Sequence, residues 1–203
     1  MTERAKALVF DICGVLYDVG GGNRRMLEWL GEGYSEQQML GKWVLSEPVR
    51  RVELGEISVE EFARGVIDDM RFPVDVDAFI KEYDSWHKGP YEGAVELIRD
   101  LSKKYVTASF SNISEFQWSK IRKTGFIEYM KFNFASFEIG YVKPDREAFA
   151  YVIGKLDRRP SEICFFDDNQ TNVDAANEMG IRSCRTRGLG ELRDRLFELG
   201  VLP

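Results

Sequence analysis

Several polar residues of this 203-residue chain stand where β-rich runs stop: Asp11 after Leu8-Val9-Phe10, Ser111 and Asn112 after Phe110, and Asp167-Asp168 after Phe165-Phe166. Lys143 lies in a loop that leads into a helical pattern. In an open parallel sheet, ligands bind beyond the carboxyl ends of the strands, near the point where strand order reverses. Carboxylates, a hydroxyl and an ammonium converging there suit phosphoryl transfer, in which most of the catalysis is positioning plus neutralisation of phosphate charge. Asp11 can serve as nucleophile and metal ligand together. Asp168 supplies a second hard oxygen for Mg²⁺, which favours octahedral oxygen coordination. Ser111 can donate to a phosphate oxygen, and Lys143 can balance the charge of phosphate and aspartates. Taken singly, each has a plainer reading: an acid capping a turn, a Ser-Asn turn ahead of a helix, a surface lysine. Their joint placement is what favours chemistry.

The elements that must position these residues alternate along the chain. Strands are expected at 5–11, 105–111, 132–136, 163–168 and 182–185. Between them, Ala94, Leu97, Ile98 and Leu101 recur at the spacing of one helical face, and Phe149, Val152, Ile153 and Leu156 repeat it. Pro144 precedes the second of these helices, Gly180 closes one that begins near Thr171, and a last helix over 191–199 ends at Gly200. The reading is an α/β fold, a Rossmann-like parallel sheet core. The interval 20–88 interrupts it with helical patterns and no convincing strand. Its clearest helix carries Val59, Phe62, Ala63, Val66, Ile67 and Met70 on one face, opened by the capping box Ser58/Glu61; Ser35/Gln38 offers a second start. Further helices over 24–30 and 75–86 make three to four in all, a small bundle. Residues 1–19 and 89–203 then form the core and 20–88 an insertion, hinged at Gly20-Gly21-Gly22 and Lys88-Gly89-Pro90.

Composition narrows the function classes. A net charge of −6 argues against sequence-independent nucleic-acid binding, which needs basic groups to displace counterions. No apolar run approaches the ~20 residues of a membrane helix, and the charged start lacks a signal peptide's apolar segment, so the cytoplasm is the expected address. Three widely spaced cysteines make neither a disulfide framework nor a zinc pattern, and a single histidine excludes a His-rich metal centre. His87 is read as an exposed hinge residue, and Cys164 and Cys184 as small buried apolar residues. Trp43, Trp86 and Arg50 are candidates for a substrate-facing surface of the inserted unit, although aromatics at such spacings are more often core.

Together, Val9-Phe10-Asp11-Ile12-Cys13-Gly14-Val15-Leu16, Phe110-Ser111-Asn112, Lys143-Pro144 and Phe165-Phe166-Asp167-Asp168-Asn169 with Asn172 resemble the ordered motifs of the haloacid dehalogenase-like hydrolase superfamily. The insertion resembles that family's small α-helical cap. Gly55-Glu56-Ile57-Ser58 and Tyr141-Val142-Lys143-Pro144-Asp145 are similar to the branch of sugar-phosphate phosphatases and the phosphatase domain of epoxide hydrolases. The resemblance implies a Mg²⁺-dependent phosphatase acting on a small phosphorylated metabolite through an aspartyl phosphate on Asp11. It further implies a phosphate clasp of Ser111 and the Asn112 backbone, stabilisation of the phosphoryl group by Lys143, and metal ligands Asp11, the Cys13 carbonyl and Asp168, with Asp167 nearby or bridging through water. No nucleic acid or membrane partner is expected, and the chain is expected to be a monomer or homodimer. One position departs from the pattern: Cys13 stands where family phosphatases usually carry a second aspartate that protonates the leaving group and activates water. A thiol is a weaker acid and a poorer base than a carboxyl group, so slow turnover or a preference for good leaving groups is expected. Two rival readings share the residues: a 2-haloacid dehalogenase-type hydrolase, which needs no metal, and a phosphate-binding protein impaired in turnover.

Overall fold

The computed structural model describes residues 4–203. In chain order its elements are β1 (Ala7–Phe10), β2 (Tyr17–Asp18), α1 (Gly22–Leu30), α2 (Glu36–Leu45), α3 (Glu47–Glu53), α4 (Val59–Met70), α5 (Val76–Ser85), β3 (Gly89–Pro90), α6 (Ala94–Ser102), β4 (Val106–Ser111), α7 (Glu115–Lys123), β5 (Phe132–Ala135), α8 (Ser136–Ile139), α9 (Arg146–Leu156), β6 (Ile163–Asp167), α10 (Gln170–Glu178), β7 (Arg182–Arg185) and α11 (Gly188–Glu198). Single turns of 3₁₀ helix at Phe126–Tyr129 and Pro160–Glu162 lead into β5 and β6.

Five parallel strands form one sheet in the order β5-β4-β1-β6-β7. The central strands β1 and β6 are short and almost wholly apolar because both of their faces are covered, as in parallel sheets generally. Side chains alternate across the pleat, and the two faces bury different sets. Leu8, Phe10, Cys164 and Phe166 face α6, α7 and α11, whose Leu97, Ile98, Trp118, Ile121, Leu192 and Leu196 complete one core layer. Ala7, Val9, Phe110, Phe134 and Phe165 face α9 and α10, meeting Phe149, Val152, Leu156 and Ala176. The chain runs from β1 outward to β4 and β5, then returns to place β6 on the other side of β1. Strand order thus reverses beside β1, and the loops after β1, β4 and β6 open onto one crevice.

Between β2 and β3 every described regular element is a helix, and α1–α5 bury a cluster of their own. Met39, Val49, Phe62, Val66, Phe79, Tyr83 and Trp86 are its centre. Phe62, Phe79 and Tyr83 pack ring to ring at centroid distances of 5.2–5.9 Å. The run Gly20-Gly21-Gly22 has a packing reason at its last member: a Cβ on Gly22 would come within 2.8 Å of the Trp86 ring. The chain leaves and returns to the sheet side by side, with Tyr17 opposite Pro90 and Asp18 opposite Gly89 in an antiparallel pair.

This interval holds five helices rather than three or four; α3, a short helix containing Pro48, has no periodic signal of its own. His87 is not an exposed hinge residue. It is half-buried, packs edge-on against Tyr17 at 5.9 Å, and burial pushes its pKa down to about 4. Trp86 is a core residue of the helical cluster and lines no cleft wall, whereas Trp43 and Arg50 do line the cleft described below. Cys164 is buried and Cys184 half-buried. No described helix is long and apolar enough to cross a membrane.

Candidate active site

β1 ends at Phe10, and the next residue, Asp11, is held in place by its own N–H donating to the Phe166 carbonyl on β6 (2.8 Å). The chain then turns sharply: the N–H groups of Leu16 and Tyr17 both donate to the Ile12 carbonyl at 2.9 Å. Gly14 permits this turn with φ +83°, and a Cβ there would meet Asp168 Oδ2 at 2.7 Å. A side chain at position 14 would therefore collide with the acid that the crevice must hold.

β4 delivers Ser111 next to β1. Its hydroxyl accepts from the Ile12 N–H (2.9 Å) and donates to Asp11 Oδ1 (2.7 Å), which uses its donor and an acceptor site together. Asn112 and Lys143 are tied to each other: the Asn112 amide donates to the Lys143 carbonyl, and the Lys143 N–H donates to Asn112 Oδ1, both at 2.8 Å. That pair fixes the loop ahead of α9 against the end of β4. The Lys143 ammonium, buried, donates to Asp11 Oδ1 (3.0 Å), the Phe110 carbonyl (2.8 Å) and Asp167 Oδ2 (2.6 Å). All three of its hydrogens are satisfied. Burial opposes its charge, but Asp11 and Asp167 outweigh burial and hold its pKa above the usual lysine range.

β6 delivers the adjacent pair, which differ in environment. Asp167 is buried and engaged on both oxygens, by Lys143, by the Asn172 amide (3.1 Å to each oxygen) and by the Asn169 N–H (2.8 Å). Asp168 is half-buried, and burial together with repulsion from Asp11 and Asp167 pushes its pKa up to about 7. Asp11 is raised as well, by burial above all, with Lys143 pulling the other way. Ligand oxygens of Asp11, Asp167 and Asp168 lie within 4.8 Å of one another. Three carboxylates facing one ammonium leave excess negative charge in a desolvated place, and their hard oxygen donors suit a divalent cation such as Mg²⁺. Cys13 has its thiol pushed well above the ordinary value, by burial first and by Asp11 and Asp168 next.

The cleft over this cluster has a volume of about 730 Å³. Asp11, Asn112, Lys143, Asp167 and Asp168 line its base, and α2 and α3 contribute Trp43, Arg50 and Glu53. Every candidate residue identified from the sequence (Asp11, Cys13, Ser111, Asn112, Lys143, Asp167 and Asp168) falls in or directly against this one crevice. Glu53 went unseen in the sequence. It precedes the Gly55-Glu56-Ile57-Ser58 stretch, but a charged residue at the end of a short helix carries no signal of facing inward. Burial pushes it up to about 7.

The model of the haloacid dehalogenase-like hydrolase family matches residues 5–180. Flavin mononucleotide hydrolase 1 of Arabidopsis thaliana is 30% identical over 73% of this chain, which spans 60% of that protein's length. D-ribitol-5-phosphate phosphatase of Bacteroides thetaiotaomicron is 22% identical over 94% of this chain and 96% of its own. (S)-2-haloacid dehalogenase 1 of a Pseudomonas strain is 24% identical over 95% and 88%. The crystal structure of a HAD family enzyme from Bacteroides thetaiotaomicron, in complex with magnesium and inorganic phosphate, superposes with a TM-score of 0.72 at 25% identity, covering 95% of this chain and 99% of that one. Sheet order, site geometry and a family match across most of the chain agree: this protein is an enzyme of the haloacid dehalogenase-like hydrolase family.

Proposed function

We propose that the protein is a Mg²⁺-dependent phosphatase that hydrolyses a small phosphomonoester through an aspartyl phosphate on Asp11. The observation that carries this reading is the arrangement at the strand ends, where Asp11, Asp167 and Asp168 lie within 4.8 Å of one another and Lys143 spans Asp11 and Asp167. Ser111 and Lys143 both bind Asp11 Oδ1, which orients the carboxylate so that Oδ2 attacks phosphorus. With substrate bound, the Ser111 hydroxyl proton turns from Asp11 to a phosphoryl oxygen and clasps it together with the Asn112 backbone, while Lys143 neutralises charge on phosphate and aspartate together. Asp11, the Cys13 carbonyl and Asp168 would hold the metal. Asp167, with both oxygens already hydrogen-bonded, orients Lys143 and reaches the ion at most through water. Bound Mg²⁺ would supply charge neutralisation on the phosphoryl group. The Cys13 thiol, held protonated, is a weak proton-transfer group two residues beyond the nucleophile.

Residues 20–88 act in this reading as a cap that closes over the cleft and selects the alcohol part of the substrate. Flavin mononucleotide and D-ribitol 5-phosphate, the compounds in two relatives' names, are both phosphomonoesters of a polyol chain, which supports a sugar or polyol phosphate as substrate. The dehalogenase relative favours a second reading, carbon–halogen hydrolysis by the same aspartate without metal. The acid cluster argues against it, because a metal-free site gains nothing from three carboxylates crowded together.

The test is a phosphate-release and halide-release screen over sugar and polyol phosphates, nucleotides and 2-haloacids, with Mg²⁺ or EDTA. Phosphate release that stops in EDTA and in Asp11→Asn is the expected result. Halide release that survives EDTA would replace this reading with the dehalogenase.

A further inference from the structure

Glu53 closes α3 and lines the same cleft as Asp11, Asn112 and Lys143. Its backbone is seated on the sheet: the buried Ser136 hydroxyl donates to the Glu53 carbonyl (2.6 Å) and accepts from the Ile113 N–H (2.9 Å). Two residues on, Gly55 lies so close to Phe137 that a Cβ would come within 3.2 Å of the Phe137 carbonyl oxygen. One turn back, Arg50 pairs with Asp145 at 2.6 Å. These contacts fix the end of α3 against α8 and the start of α9, so Glu53 is a held group of the cleft rather than a mobile surface charge. The groups around it are Lys143 and Arg50, which favour its carboxylate, Asp11, which disfavours it, the Asn112 side chain, Cys13 and the buried Tyr83. Burial dominates and lifts its pKa to about 7, whereas the Cys13 thiol is pushed well above its ordinary value, by burial first, and stays protonated. Tyr91, another protic group of the cleft, is also driven upward by burial.

We propose that Glu53 is the general acid and base of the site, delivered from the helical segment in place of a carboxylate at position 13. The inference rests on Asp11 being the nucleophile. In the first half-reaction the Asp11 oxygen–phosphorus bond forms and the ester P–O bond breaks. Its electron pair stays on the alcohol oxygen, which takes the proton from the Glu53 carboxyl. In the second, a water oxygen bonds to phosphorus, the Asp11–phosphorus bond breaks, and the water's proton goes to the Glu53 carboxylate. The sum is ester plus water giving alcohol plus phosphate, with both side chains restored.

The experiment compares rapid-quench single turnovers of p-nitrophenyl phosphate, whose leaving group needs no acid, with those of an alkyl ester such as D-ribitol 5-phosphate, using the full chain with Mg²⁺. Glu53→Gln is expected to slow cleavage of the alkyl ester by ~10²–10⁴-fold, the usual worth of general acid–base catalysis. The p-nitrophenol burst is expected to stay near the wild-type rate while steady-state turnover of both esters falls, because hydrolysis of the phosphoenzyme still lacks its base. Glu53→Asp is expected to fold and to restore part of the alkyl rate, which keeps the test available should the Gln variant not fold. Equal slowing of both bursts, an unslowed alkyl ester in Glu53→Gln, or a folded Glu53→Asp variant no faster on the alkyl ester than Glu53→Gln would overturn the proposal. Asp11→Asn run in parallel separates the two readings: a burst that survives in it refutes the nucleophile, whatever Glu53 does.

Discussion

At the scale of single residues, burial decides which groups titrate usefully. Lys143 stays an ammonium because its three hydrogens meet two carboxylates and a carbonyl; without those partners its burial would discharge it. His87 shows the opposite outcome. Half-buried and with Lys120 nearby, it is held neutral with a pKa of about 4 against an ordinary 6.5. The unfolded chain therefore binds a proton more readily than the folded one, and stability that is intact above pH 6.5 is lost as the pH falls toward 4. His87→Gln is expected to lose less stability over that window than the wild type, read from urea midpoints at pH 7 and pH 4.5. Parallel losses in the two proteins would mean that the ring is not held neutral. Asp11, Ser111, Asp167 and Asp168 were legible in the sequence because each ends a strand-like run, and Lys143 because it stands in the ordered set of motifs just ahead of Pro144. Glu53 was not legible. What makes it special is the cover supplied by elements distant in sequence, and no local pattern encodes that.

At the scale of elements, the strands of the sheet were legible to within two residues, since runs such as Ile163–Asp167 admit only a strand buried on both faces. Elements without periodicity were not. β2 and β3 have two residues each and exist because they pair with one another. α3 has seven residues, opens on Pro48 in its first turn, and is helical because Val49 and Val52 anchor it in the helical cluster. α4 lies at the other extreme: its capping box was readable and is present, with Ser58 Oγ accepting from the Glu61 N–H (3.2 Å) and Glu61 Oε2 accepting from the Ser58 N–H (2.9 Å). Ser58→Ala is expected to cost about 1 kcal/mol, measured by urea denaturation. An unchanged midpoint would show that tertiary packing alone sets where α4 begins.

At the scale of the whole molecule, the helical segment meets the sheet through few polar links, chiefly Arg50 with Asp145, Lys120 with Asp84, and the Ser136 hydroxyl on the Glu53 carbonyl. Arg50 and Asp145 are partly exposed, so their pair contributes at most about 1 kcal/mol and is sensitive to salt. Asp145→Asn is expected to raise KM up to about fivefold at low ionic strength and to converge with the wild type in 1 M salt, where the screening length is about 3 Å. A KM difference that persists unchanged in high salt would assign Asp145 some role other than holding the segment in place. The strand order has a further consequence for the timing of synthesis. β1 emerges first but lies in the middle of the sheet, and Asp168 follows Asp11 by 157 residues, 168 less 11. A nascent chain on the ribosome thus carries Asp11 for most of translation with an open strand edge and no second acid beside it. The crevice lacks Asp167 and Asp168 until β6 arrives, a delay written into the topology rather than imposed by an inhibitor.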